Sequence, residues 1–78
     1  MNADEMFEEL GYEKMENRYF ANSCIYSKTI KHLTYTRYLK IIFHYETKKI
    51  TIDIDYASVK DLQAINKKVE ELGWLERN

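Results

Sequence analysis

The alternation of apolar and polar positions changes period twice along the chain, and those changes divide it into elements. At the start, Ala3, Met6, Phe7 and Leu10 recur at helical spacing, which predicts a short helix with one apolar face. Asn2-Ala3-Asp4-Glu5 supplies an N-cap with a carboxylate three residues on, and Gly11 closes the element. Near the other end Val59, Leu62, Ile65, Val69 and Leu72 form a second apolar stripe, with Ser58-Val59-Lys60-Asp61 as its cap and Gly73 as its stop. Both helices end in the same way, Glu-Glu-Leu-Gly followed by an aromatic residue, Tyr12 or Trp74. A left-handed glycine with a large apolar residue folding back on the last turn accounts for that likeness as shared capping chemistry. Acids in a last turn oppose the helix dipole, so Glu8, Glu9, Glu70 and Glu71 serve either solubility or docking.

Between the helices the period falls to two. Residues 35–45 place Tyr35, Arg37, Leu39, Ile41, Phe43 and Tyr45 on one face and Thr36, Tyr38, Lys40, Ile42 and His44 on the other, the signature of a strand. Residues 49–56 alternate Ile50, Ile52, Ile54 and Tyr56 with Lys49, Thr51, Asp53 and Asp55. A hairpin turn within Glu46–Lys49 then pairs Phe43 with Ile52, Ile41 with Ile54 and Lys40 with Asp55. Residues 12–16 predict a short strand, Glu16–Arg18 a turn, and Tyr19 to about Lys28 a longer strand. In that strand Phe20, Cys24 and Tyr26 oppose Tyr19, Ala21 and Ile25. Residues 29–34 read equally as loop, bulge or strand extension. The sum is an α+β fold of order α-β-β-β-β-α, a four-stranded antiparallel meander with both helices packed on one face. With no proline, linker or low-complexity stretch, residues 1–78 read as one small domain.

Composition narrows the function classes. A chain of 78 residues buries about 60% of its unfolded surface, so its apolar side chains go to the core rather than to a deep pocket. No apolar run approaches the roughly 20 residues of a membrane helix, and the acidic opening MNADEMFEEL differs from a signal peptide. A cytoplasmic location without a membrane partner is therefore the expectation. The net charge of −1 conceals an asymmetry: six acids face only Lys14 over residues 1–17, whereas six bases face only Glu46 over residues 27–49. Such polarity either steers a charged partner or reflects complementarity between packed elements.

The opening ADEMFEELGYEK and the closing LQAINKKVEELGW, with an IIF strand and a lysine-rich turn between them, resemble small uncharacterised proteins encoded by temperate phages and prophages of low-GC Gram-positive bacteria. The resemblance implies a phage accessory product acting in the bacterial host cytoplasm, and it implies no activity. The middle, from Ser27 to Arg37, is longer and more basic in this chain.

No catalytic residues, metal ligands or cofactors are assigned from the sequence. Asp53, Asp55 and His44 make a weak cation cluster on a flat strand face, where outward carboxylates ordinarily discourage edge pairing. Cys24 reads as a buried structural thiol, having no cation beside it in sequence, and phosphate-binding and hydrolase motifs are lacking. Two binding classes remain. In the first, a protein partner of unknown identity, a second copy of the chain included, covers the sheet face opposite the helices through Tyr38, Lys40 and Ile42. In the second, a single-stranded nucleic acid stacks on the tyrosines while Lys31, Arg37 and Lys40 follow its phosphates, with Tyr38 as the exposed platform.

Overall fold

The structure, a computed structural model, describes residues 1–17 and 22–75. It contains α1 (Ala3–Glu9), β1 (Glu13–Asn17), β2 (Ser23–Lys31), β3 (Thr36–His44), β4 (Lys49–Asp53) and α2 (Val59–Glu71). The strands lie in the order β1-β2-β3-β4 with every neighbour antiparallel. This is the expected α+β meander.

Both helices are held at their ends by the expected chemistry. Asn2 with Glu5, and Ser58 with Asp61, form reciprocal capping boxes, each satisfying amides that a helix start leaves without partners. At the far ends Gly11 and Gly73 adopt φ of +92° and +71°, a conformation that only glycine reaches without strain. The turn lets Tyr12 N–H reach the Phe7 carbonyl at 3.0 Å and Trp74 N–H reach that of Val69 at 3.1 Å. One of the last-turn acids has a folding role that the sequence did not disclose. Glu71 Oε2 accepts from the Ala3 amide at 2.8 Å, tying the end of α2 to the positive start of α1.

The core lies between the helices and the sheet. Phe7 stacks on Tyr26 at 3.9 Å and meets Tyr12 and Phe43 edge-on at 5.5 and 6.2 Å. Cys24, Ile41, Ala64 and Ile65 fill the space around these rings, and Cys24 is fully buried, as expected of a structural thiol. The two buried phenols do not lose their hydroxyl partners. Tyr26 donates to Asp4 at 2.6 Å and Tyr12 to Asp61 at 3.1 Å, so an acid in the first turn of each helix also anchors a core ring.

Four expectations about the elements need correction. The β3–β4 register is displaced by two residues: Phe43 opposes Ile50, Ile41 opposes Ile52, and Lys40 opposes Asp53 rather than Asp55. A slip of two keeps every side chain on its expected face, so hydrophobic alternation could not discriminate the two registers. The strand hands over to the turn at Tyr45, whose amide is taken by the Asn22 carbonyl at 3.1 Å, and Lys48 closes the turn at φ +54°. Second, β4 ends at Asp53, and Tyr56 is exposed. Third, Val59 and Leu62 stay exposed although they belong to the apolar stripe. The buried face of α2 is instead rotated onto Asp61, Ala64, Ile65 and Lys68. Asp61 is satisfied by Ser58 and Tyr12, and Lys68 lays its stem on the core with its ammonium 5.8 Å over the Tyr26 ring. Fourth, Glu16 and Asn17 belong to β1 rather than to a turn, and β2 begins at Ser23 and continues to Lys31. The placements expected for Arg18, Tyr19, Phe20 and Ala21 lie outside the described residues.

Candidate binding surfaces

Because α1 and α2 both sit on one side of the sheet, the other side is left without a described element over it. Opposed residues in an antiparallel ladder point the same way, so the register fixes what that outward face presents. One row runs Met15–Ile25–Ile42–Thr51 across the four strands, and the next runs Glu13–Ser27–Lys40–Asp53. Further along, Tyr38 opposes Thr29 and Lys31 opposes Thr36. The candidates Tyr38, Lys40 and Ile42 therefore share one face of β3, with Lys31 on the same face of β2. Met15 and Tyr38 are 64% and 67% exposed, while Ile25 and Ile42 are half-buried against each other. Met15 and Ile25 were not among the sequence candidates. Their signal was available only after the β1–β2 register was known.

Arg37 is separated from this group. It lies on the helix side of β3, opposite Ile30, where its guanidinium bonds the Asp55 carboxylate. The same contact dissolves the cation cluster considered from sequence. Asp55 is drawn to the helix side, Asp53 stays opposite Lys40, and His44 opposes Lys49 and bonds Thr51 Oγ1 at 2.8 Å. Among the described residues no group of three or more His, Cys, Asp or Glu side chains is arranged to hold a metal ion.

The ambiguous segment 29–34 resolves into a projecting hairpin. β1 pairs only with residues 23–27 of β2, and β4 only with residues 40–44 of β3. Past those points β2 and β3 continue as a two-stranded ribbon through Lys28–Leu39, Thr29–Tyr38, Ile30–Arg37 and Lys31–Thr36. At its tip His32 N–H donates to the Tyr35 carbonyl at 2.8 Å, and the two rings stack at 4.4 Å. Leu33, between them, is wholly exposed. At the root Lys28 donates to the Leu10 carbonyl at 3.2 Å and lies 4.5 Å over the Tyr12 ring, so this cation caps α1 and braces the ribbon.

A cleft of about 240 Å³ opens at that root, lined by Tyr12, Lys28, Ile30, Ile54, Tyr56 and Asp61 among others. Its acid and phenol are already paired with each other. Burial pushes the Tyr12 phenol up to about 12, helped by the Asp61 charge and the hydrogen bond to it. Asp61 is moved the other way: burial opposes its charge, but the Ser58 amide and hydroxyl, the Tyr12 hydroxyl and the nearby Lys28 together hold its carboxyl below the usual aspartate value. These paired groups stabilise the fold. Asp4 follows the same pattern, with burial outweighed by bonds from Tyr26 and Lys14.

Compared with known protein families, curated proteins and solved structures, the chain matches none.

Proposed function

We propose that this chain is a non-catalytic binding module that covers the outward face of its sheet with a protein partner. The observation that carries the reading is the apolar row Met15–Ile25–Ile42 on a face opposite both helices, with the exposed ring of Tyr38 farther along the same face of β3, beyond Lys40. A contiguous apolar patch rimmed by polar groups is the ordinary composition of an interface, and Lys40, Asp53, Glu13 and His44 provide the rim. Tyr38 is the anchor, a large ring on a rigid strand with a hydroxyl for the partner. The resemblance of the two terminal segments to phage and prophage proteins supports a role as an accessory product in the bacterial cytoplasm, directed at a host defence or regulatory protein. Among the described residues no helix is long and apolar enough to cross a membrane.

The test is a capture experiment with tagged wild-type and Ile42→Glu baits in nuclease-treated lysate of a Gram-positive host. One stoichiometric protein held by the wild type and lost by the variant is the expected result, with the two baits melting within a few degrees of each other. An identical set of proteins on both baits contradicts the reading.

A second reading, single-stranded nucleic acid on the same face, is favoured by one feature. Lys31, Tyr38 and Lys40 are co-facial, and Asp55, a carboxylate that would repel phosphate there, has turned to the helix side. On this reading Lys31→Ala and Lys40→Ala each flatten the salt dependence of binding by about one counterion. Arg37→Ala is not expected to do so, since its charge is engaged by Asp55 on the opposite side.

A further inference from the structure

The two edges of the sheet are defended differently. β1 closes one side of the meander and β4 the other. An edge strand offers a row of backbone amides and carbonyls to any second strand, and charged side chains turned inwards are a common guard against such pairing. β1 has that guard. Lys14 and Glu16 lie on its helix side, opposite Tyr26 and Cys24, with Lys14 bonded to Asp4 at 2.9 Å and Glu16 accepting from Tyr45 at 3.2 Å. β4 lacks it. Its helix-side positions are Ile50 and Ile52, its ladder with β3 runs through all five residues without a bulge, and Ile52 is 47% exposed. On α2, Lys60, Gln63 and Glu71 turn towards α1, while Asp61, Ala64, Ile65 and Lys68 turn to the core. The helical period therefore places Leu62, 48% exposed, on the flank away from α1. That flank looks towards β4, since α1 lies over β1 and β2.

The residues of β4 are also complementary to themselves. Run antiparallel to a second copy about a two-fold axis at Thr51, the strand Lys49–Asp53 sets Lys49 opposite Asp53 at both ends and Ile50 opposite Ile52 on both sides of the axis. Opposed residues point to the same face, so both charge pairs fall on the outward side and the isoleucines of both copies meet on the helix side. A slip of two residues in either direction costs the ladder two of its five pairs, and Lys49 and Asp53 no longer meet. Within the chain Asp53 lies opposite Lys40 and Lys49 opposite His44, yet among the described residues neither Lys49 nor Asp53 makes an ion pair.

We propose that two copies of this chain pair through their β4 strands, Thr51 opposite Thr51, so that two four-stranded sheets become one of eight strands. The two-fold axis stands perpendicular to the sheet and closes the assembly at a dimer. All four helices stay on one side, and the Leu62 flanks of the two α2 helices face each other across the junction. The dimer covers Ile52 and gives the β4 edge the hydrogen-bonding partners that an edge strand lacks. The outward faces join into one, with the row Met15–Ile25–Ile42–Thr51 continuing into its copy. That face stays uncovered, so the pairing stands or falls independently of the partner reading above.

Sedimentation velocity over a wide concentration range tests the pairing. The wild type is expected to pass from monomer to dimer as concentration rises. Lys49→Asp sets acid against acid at both ends of the ladder and Asp53→Lys sets base against base, so each should raise the dissociation constant about tenfold or more. Mixed in equal amounts, the two variants should regain an affinity near that of the wild type, because their heterodimer restores opposite charges at both ends. Ile52→Lys should abolish the dimer while its monomer keeps the wild-type circular dichroism spectrum, since Ile52 is half-exposed in the single chain. A monomer at every concentration overturns the proposal. So does a dimer that Lys49→Asp, Asp53→Lys and Ile52→Lys leave intact, because it would form through another surface. A mixture of the two charge variants that binds no more tightly than either alone also overturns it, since Lys49 and Asp53 would then not meet across the junction.

Discussion

Asp61 illustrates how much one side chain can hold in a chain this small. It closes the capping box of α2, accepts from the buried Tyr12 hydroxyl, and is itself 7% exposed. Asp61→Ala removes the Asp61 half of the capping box and orphans a buried phenol, so a loss of about 2–3 kcal/mol is expected in denaturant unfolding. Its titration sets a direction as well. Asp61 and Asp4 both stand below the 3.8 of an unperturbed aspartate. The stability they add is therefore complete above that value and lost as pH falls through the lowered folded-state values. Acid unfolding followed by circular dichroism should show stability declining below about pH 4, with a shallower decline in Asp61→Asn. An unchanged acid limb in that variant would show that Asp61 is not held in the charged form by folding. The opposite sign applies to Tyr12: raised from 10 to about 12, it contributes stability that is whole below pH 10 and lost as pH climbs towards its folded value. Phe7 is the other residue on which the fold depends, touching Tyr12, Tyr26 and Phe43 at once. Phe7→Ala is expected to remove about 3–5 kcal/mol, a large part of what a domain of this size holds, and should appear as loss of the cooperative melt.

Among the elements, the β2–β3 hairpin divides into a covered half and a free half. Residues 23–27 and 40–44 have neighbours on both sides, whereas residues 29–38 are paired only with each other. Amide exchange should follow that boundary, with slow exchange at Ile25, Tyr26, Ile41 and Ile42 and fast exchange at Ile30 and Arg37. Equal protection along the whole hairpin would contradict a free ribbon in the isolated protein and would itself point to association. The ribbon is also where the sequence was least legible. Its tip, His32-Leu33-Thr34-Tyr35, has no glycine, proline, asparagine or aspartate, so the usual turn chemistry was missing. The helices were legible because their caps are written locally, in Asn2, Gly11, Ser58 and Gly73. The β3–β4 register was not, because Ile50, Ile52 and Ile54 are interchangeable at a slip of two. The observed register goes with a turn over Tyr45–Lys48 closed by Lys48 at φ +54°, and lysine is not among the residues that mark such a turn in a sequence. Leu62 and Val59 misled for a different reason. Polar Asp61 and Lys68 took the buried face through partners distant in sequence, and the apolar stripe was left partly in water.

At the scale of the whole molecule, both helices lie on one side of the sheet and close the core there, and the proposed partner surface is the opposite side. The candidate residues Tyr38, Lys40 and Ile42 could be read from β3 alone, because a strand's alternation states which side chains share a face. The rest of the surface, Met15 and Ile25, came from strands whose pairing depends on the tertiary structure. Arg37 was grouped with them by composition and is removed by the pleat. The central claim is that binding is confined to that outward face, and methyl NMR of the protein titrated with its captured partner tests it most directly. Methyl signals of Met15, Ile25 and Ile42 should shift or broaden, while those of Met6, Ile65 and Val69 on the helix side stay in place. Perturbation centred on the helix-side methyls, with Ile25 and Ile42 unmoved, would contradict the account.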